Sequence, residues 1–198
     1  MANVIDFYFD FLSPYSYIAH TQLPKLAARH GWALAYHPVD LQQIKIAGGN
    51  TGPSSREQPL KSRYNLMDFG RWSARYGVPI KRPTGYDPRH RLNKGAFYAL
   101  DQKRMEQYTT AAWHRVWGQG GNLADEALIA AVAREMGWDT DAFLAYTLSD
   151  PPAQRFQAET DAAHERGVFG VPAMMIGEEL WWGNDRLVFL EEYLASQT

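Results

Sequence analysis

Asp6-Phe7-Tyr8-Phe9-Asp10-Phe11-Leu12-Ser13-Pro14-Tyr15-Ser16-Tyr17 is the stretch from which the rest of the chain can be read. Ile5, Phe7, Phe9 and Phe11 alternate with Asp6, Tyr8 and Asp10, and that period of two predicts a strand over residues 4–9. The pattern then changes. Ser13 is a good helix cap, and Pro14 suits the first helical position, where a missing N–H costs nothing. Tyr17, Ile18, Leu23 and Leu26 follow at helical spacing, so the reading is a helix over 14–30 stopped by Gly31. A strand thus delivers a serine to a helix N-terminus, where unpaired N–H groups and the helix dipole favour an anion.

Residues 33–39 read as a second strand, with Pro38 marking a strand end or a sheet edge. Strand, helix and strand of these lengths form a right-handed crossover with parallel strands. Residues 41–63 change character, and Gly48-Gly49-Asn50-Thr51-Gly52-Pro53-Ser54-Ser55 at their centre is a loop by composition, long enough to be functional. No Gly-Lys-Ser/Thr follows a strand there, which excludes a phosphate loop. A helix is expected over 64–77, an extended connector over 78–91, and further helices over 92–105, 108–117, 124–136, 140–148 and 151–166. After Gly167 the strand pattern returns. Val171–Ile176 and Glu179–Trp182 flank Gly177-Glu178 as a hairpin, and Asn184 or Asp185 is placed to cap a last helix, Arg186–Ala195.

That order is an α/β chain with a thioredoxin-like fold, carrying an all-helical domain between its strand-helix-strand and strand-strand-helix halves. Residues 1–45 and 168–198 are assigned to the thioredoxin-like domain and 46–167 to the helical insertion. In such folds the turn after the first strand holds Cys-x-x-Cys, whereas here it is Ser13-Pro14-Tyr15-Ser16. The chain contains no cysteine, so disulfides, thiolate metal sites and protein-borne redox chemistry are excluded. A serine hydroxyl can instead hold a thiolate brought by a cofactor. A plain helix cap is the simpler account of Ser13 taken alone. Pro172, opening the third strand beside the same site, is expected to follow a cis bond that lets Val171 pair with an extended ligand.

Trp182-Gly183-Asn184-Asp185 stands at the start of the last helix, where Asn184 and Asp185 could hold the amino group of a peptide-like ligand; from the residues alone Trp181 and Trp182 are read as core. Lys45, Ser55, Arg56, Tyr86, Arg89 and Arg91 lie on the loop and connector beside the expected cleft, where a cation would pair with a carboxylate, although any one of them suits a solvated surface. The six histidines show no ligand spacing, and no metal site is expected. Residues 40–104 carry 13 Lys and Arg against 5 Asp and Glu, and residues 105–198 carry 5 against 15. The basic middle suits a small anionic ligand or faces the acidic half. With no dense basic run and a net charge of −2, nucleic acid is not an expected partner. No apolar run reaches the roughly 18 residues of a membrane span. With no export signal at the N-terminus either, the expected compartment is the cytoplasm.

Phe9–Tyr17, Lys45-Ile46, Gly52-Pro53-Ser54, Val168–Pro172 and Trp181–Leu187 together resemble the 2-hydroxychromene-2-carboxylate isomerases. These are glutathione-dependent enzymes of bacterial naphthalene breakdown, related to kappa-class glutathione transferases and DsbA-like proteins. The resemblance implies glutathione as cofactor, a small anionic aromatic substrate and a homodimer. It implies Ser13 as the catalytic residue at the glutathione sulfur. Val171, Trp182, Gly183, Asn184 and Asp185 would hold the rest of glutathione, and Lys45, Ser55, Arg56 and Tyr86 would line the substrate pocket. The reaction it implies is chromene ring opening and alkene isomerisation to trans-o-hydroxybenzylidenepyruvate by transient thiolate addition. A conjugating kappa-like transferase and a non-catalytic thiol- or peptide-binding DsbA-like protein are the alternatives.

Overall fold

The computed structural model describes residues 3–55 and 57–197. Strand β1 (Val4–Phe9) runs parallel to β2 (Ala33–Pro38), and between them lie two short helices, α1 (Pro14–His20) and α2 (Leu23–Arg29). The expected single helix over 14–30 is therefore broken. Pro24 supplies no N–H to a continuing helix and sits in the first turn of α2, while the Thr21 hydroxyl donates to the Ile18 carbonyl at 2.7 Å and closes α1. Strands β3 (Ala173–Ile176) and β4 (Glu179–Trp182) form the expected hairpin, and β3 lies antiparallel to β1. The sheet order is β2-β1-β3-β4, which puts Pro38 on an edge strand where its missing donor breaks no ladder.

Among the described residues, seven α-helices come between β2 and β3: α3 (Leu41–Ala47), α4 (Pro59–Tyr76), α5 (Arg91–Asp101), α6 (Met105–Trp113), α7 (Glu126–Glu135), α8 (Thr140–Leu148) and α9 (Asp150–Glu165). Helix α3 was not expected. Asp40 makes it, because its carboxylate accepts the N–H groups of Gln42 and Gln43 at 2.8 and 3.1 Å as an N-cap. It also crosses the expected seam between residues 45 and 46. Helix α4 begins at Pro59, five residues before its expected start, and ends as expected at Gly77, whose φ of +65° is the left-handed cap. Helix α6 widens into a π-turn over His114–Gly118. At the C-terminal end a 3-10 turn, Asn184–Arg186, leads into α10 (Leu187–Ser196). Neither Asn184 nor Asp185 caps α10; Arg186 takes that place, with no side-chain cap bond.

One large apolar cluster joins the sheet to the helical layer. Phe7 and Phe9 from β1 meet Trp113 of α6, Ile5 belongs to the same cluster, and Tyr108 and Phe143 continue it outward. The opposite face of β1 carries Tyr8 into a smaller cluster with Val39, Ile44, Ala163, Val168 and Val171. β1 is thus covered on both faces, as expected of a strand flanked by helices. Among the described residues no helix is long and apolar enough to cross a membrane.

Candidate active site around Ser13

The turn after β1 brings Ser13 against Val171. Ser13 is buried at 3% exposure, and its Oγ lies 3.4 Å from the Val171 carbonyl oxygen. The same Oγ accepts the Ser16 N–H at 3.1 Å and so caps α1. The cap reading of Ser13 is therefore met. One lone pair is engaged by the backbone, while the hydroxyl hydrogen, held only by a long contact, is available to a ligand. The Val171–Pro172 bond is cis.

The strip following β4 meets this point. The Gly183 N–H donates to the Pro172 carbonyl at 2.9 Å. Gly183 has φ of +105°, and a Cβ there would stand 2.5 Å from Asp185 Oδ1, so glycine is required at this bend. Asn184 is buried at 3% exposure, and its Nδ2 has no hydrogen-bond partner. Ser16 Oγ, on α1, is likewise buried and unpartnered. Buried polar groups normally find partners, so an orphaned amide donor beside the Ser13–Val171 pair fits a ligand with an acceptor such as a carboxylate. Asp185 is half-exposed, with its carboxylate 3.3 Å from Arg186. The Tyr15 hydroxyl donates to Asp68 at 3.1 Å. Burial first, then Asp68, and more weakly Asp185, raise the Tyr15 phenol above its ordinary value. That negative field suits an ammonium group.

Trp182 is 51% exposed and meets Phe169 edge-on at 5.0 Å, which overturns its reading as a core residue; Trp181 packs inward on Tyr193. Gly170 lies under the Trp182 indole, where a Cβ would approach Nε1 to 2.7 Å. Phe169 reaches in turn to Gly48, at the end of α3. Lys45 occupies the last turn of that helix. Hydrogen bonding from Ser54 and the charge of Lys45 hold the Glu57 carboxyl below its usual range, so Lys45 faces the loop that carries Ser55. Arg56 lies outside the described residues. Tyr86 stands apart, edge-on to His90 at 6.1 Å and within the field of Asp40, Asp10 and Asp87. Ser13, Val171, Gly183 and Asn184 are brought together. Among the described residues no side-chain hydrogen bond links Lys45, Ser55 or Tyr86 to them.

Arg91 is corrected from the cleft to the interior. It is 1% exposed and bonds Asp87 at 2.8 Å, Glu126 at 3.2 Å and the Ala124 carbonyl at 3.1 Å. Arg89 stays at the surface beside Asp87, at 3.5 Å. Sequence reasoning missed Asp10 and Asn93, both buried behind Ser13. Asp10 continued the polar face of the β1 alternation and was indistinguishable there from a solvated residue. Asn93 sits in a helix whose packing partner no local pattern names.

The chain belongs to the DSBA-like thioredoxin domain family, which matches residues 4–195. Among its relatives, 2-hydroxychromene-2-carboxylate isomerase of Pseudomonas putida is 44% identical over 192 residues, covering 97% of this chain and 94% of the relative. A solved structure described as 2-hydroxychromene-2-carboxylate isomerase superposes with a TM-score of 0.93 at 42% identity, over 98% of this chain and 95% of that one. More distant is glutathione S-transferase kappa 2 of Caenorhabditis elegans, 28% identical over 98% of this chain and 92% of the relative.

Proposed function

We propose that the chain is a glutathione-dependent isomerase interconverting 2-hydroxychromene-2-carboxylate and trans-o-hydroxybenzylidenepyruvate. One observation carries the reading: a buried serine, not a cysteine, faces the Val171 carbonyl at 3.4 Å, in a cysteine-free chain of this fold. The thiol must then come from outside. When bound, glutathione supplies a thiolate that adds reversibly to the conjugated alkene, converting a double bond that rotates slowly into a single bond.

The chain's own groups have separate tasks in this reading. Ser13 donates its hydroxyl hydrogen to the sulfur and favours its ionised form, while the Ser16 N–H fixes the direction of that hydroxyl. Val171 offers backbone to the extended tripeptide. The unpartnered Asn184 amide donates to the γ-glutamyl carboxylate, Asp185 accepts from its ammonium, and Gly183 and Trp182 shape the strip between. Lys45 or Arg56 holds the substrate carboxylate, and Ser55 and Tyr86 line the substrate pocket. The assembly proposed is a homodimer, acting in the cytoplasm in aromatic catabolism.

The test is an ultraviolet assay of chromene to benzylidenepyruvate conversion, with and without glutathione. Conversion is expected only with glutathione, which is not consumed. Ser13→Ala is expected to reduce turnover by about 10²-fold or more, as losing one such donor does. Full conversion without glutathione would overturn the reading. A product heavier by one glutathione would make the chain a conjugating transferase instead.

A further inference from the structure

The turn that carries Ser13 is held by side chains from far along the chain. Residues 10–13 belong to neither β1 nor α1, so their backbone groups need other partners. Asp10 is fully buried, and its Oδ1 accepts the Leu12 N–H and the Asn93 Nδ2–H, each at 2.9 Å. Its Oδ2 accepts the Leu41 N–H at 2.9 Å, and its backbone carbonyl accepts the Ser13 N–H at 3.0 Å. Asn93 completes the circuit: its Oδ1 accepts the Phe11 N–H at 3.3 Å. The Phe11 carbonyl accepts the Trp117 indole N–H at 2.9 Å. The N–H groups of residues 11, 12 and 13 are thus all tied to Asp10 or Asn93, and Asn93 and Trp117 both come from the helical layer.

An amide donates and accepts from one planar group, which lets Asn93 bridge the Asp10 carboxylate and the Phe11 N–H. Burying a carboxylate is costly unless its oxygens are engaged, and here they are engaged by Leu12 in the turn itself, by Asn93 and by Leu41 at the start of α3. We propose that Asn93 is a positioning residue for the thiol site, aiming the Ser13 hydroxyl through Asp10 and the Phe11–Leu12 turn, with Trp117 as the second support. The inference rests on the reading that Ser13 holds the glutathione thiol. It adds that helix α5 and the π-turn following α6 set the position of the donor.

The experiment compares Ser13→Ala, Asn93→Ala, Trp117→Phe and the doubles that combine each of the latter two with Ser13→Ala. Three quantities are read: the pH titration of the bound glutathione thiol by its thiolate absorbance, kcat and KM, and the melting temperature. Loss of a hydrogen bond to a charged group should raise the apparent pKa of the bound thiol by about one to two units in Ser13→Ala. A displaced donor should do much of the same in Asn93→Ala, with kcat falling by up to about 10²-fold and KM changing little. Trp117→Phe keeps the ring and removes only the N–H, so it decides the matter where Asn93→Ala fails to fold; a smaller shift in the same direction is expected. In the Ser13→Ala background neither substitution should move the thiol titration further, although both still lower the melting temperature. If Ser13→Ala shifts the titration while Asn93→Ala and Trp117→Phe change only the melting temperature, the positioning role is overturned and the Ser13 reading stands. Shifts that add undiminished to that of Ser13→Ala overturn it as well. If Ser13→Ala leaves titration and turnover untouched, the Ser13 reading falls and takes the positioning role with it.

Discussion

His20 and His37 respond to protons in opposite directions. His20 is buried in the aromatic core, 4.8 Å from the Trp113 ring, with its Nε2 3.1 Å from the Thr110 hydroxyl and 3.3 Å from that of Thr109. Burial pulls its pKa down to about 3. The unfolded chain then takes up a proton below about pH 6.5 that the folded protein refuses, so stability is full above that value and falls as pH is lowered. His20→Phe keeps the ring volume, and both threonine hydroxyls retain helix carbonyls as acceptors, at 2.9 Å for Thr109 and 2.7 Å for Thr110. Urea unfolding at pH 6.5 and at pH 5 should show the native chain losing about 2 kcal/mol more than the variant over that interval. Equal losses would place His20 in contact with water. His37 is the reverse case: burial lowers its pKa, but Glu159 at 2.5 Å and Asp6 at 3.1 Å outweigh burial and raise it. Its charged form stabilises the fold below its unfolded pKa, and that contribution disappears as pH rises through the folded value. His37→Gln should therefore destabilise the protein more at pH 6 than at pH 9, as denaturation midpoints would record. Neither behaviour was legible in the sequence, because a histidine's environment is made by chain segments 90 and 122 residues away.

Secondary elements were legible where the chain carries punctuation. Alternation gave β1, Gly31 gave the end of the helical stretch before β2, and Gly177-Glu178 gave the β3–β4 hairpin. The departures have local causes that a hydrophobic pattern does not weigh: Pro24 splitting the first helix, and Asp40 nucleating α3 in a stretch to which the pattern assigns no element. Close approach between elements was invisible altogether. Gly95 on α5 is an example: a Cβ there would meet Tyr108 Oη at 2.5 Å and the Phe143 ring at 2.7 Å. Tyr108 also donates its hydroxyl to the Leu92 carbonyl at 2.7 Å, so it cannot retreat freely. Gly95→Ala, which by helix propensity should stabilise, is expected to destabilise by about 2 kcal/mol through overpacking. In a chain of this length that corresponds to a fall of roughly 4–8 °C in melting temperature. A rise would mean that α5 stands further from α6 and α8.

At the scale of the whole molecule, the helical segment is an insertion in sequence but not a separate core. Phe9 packs on Trp113 at 5.1 Å, and the cluster runs unbroken from Ile5 to Phe143. Polar ties follow the same route, Asn93 and Trp117 reaching the Ser13 turn. Residues 1–45 joined directly to 168–198 would expose one face of β1, and such a chain is expected to melt without a cooperative transition, as circular dichroism would show. A sharp transition would establish an autonomous sheet domain. The sequence conveyed the order of strands and helices and the serine at their junction. It could not convey that the layers share their interior, since contacts between positions 9 and 113 leave no trace in either neighbourhood. The sequence also left open whether the basic middle faces the acidic half. Arg91 with Glu126 at 3.2 Å shows one such pairing.

The widened turn at His114–Gly118 has a bearing on chain length. A π-turn accommodates one residue more than an α-helix over the same span, and each residue rotates the α-helix by about 100°. Trp117 reaches the Phe11 carbonyl only at its present angular phase. Shortening the chain by one position within 114–118 would swing a different side chain to that bearing and leave the carbonyl without its indole. Spacing here is thus as specific as residue identity, and an indel in this short arc should be less tolerated than many substitutions within it.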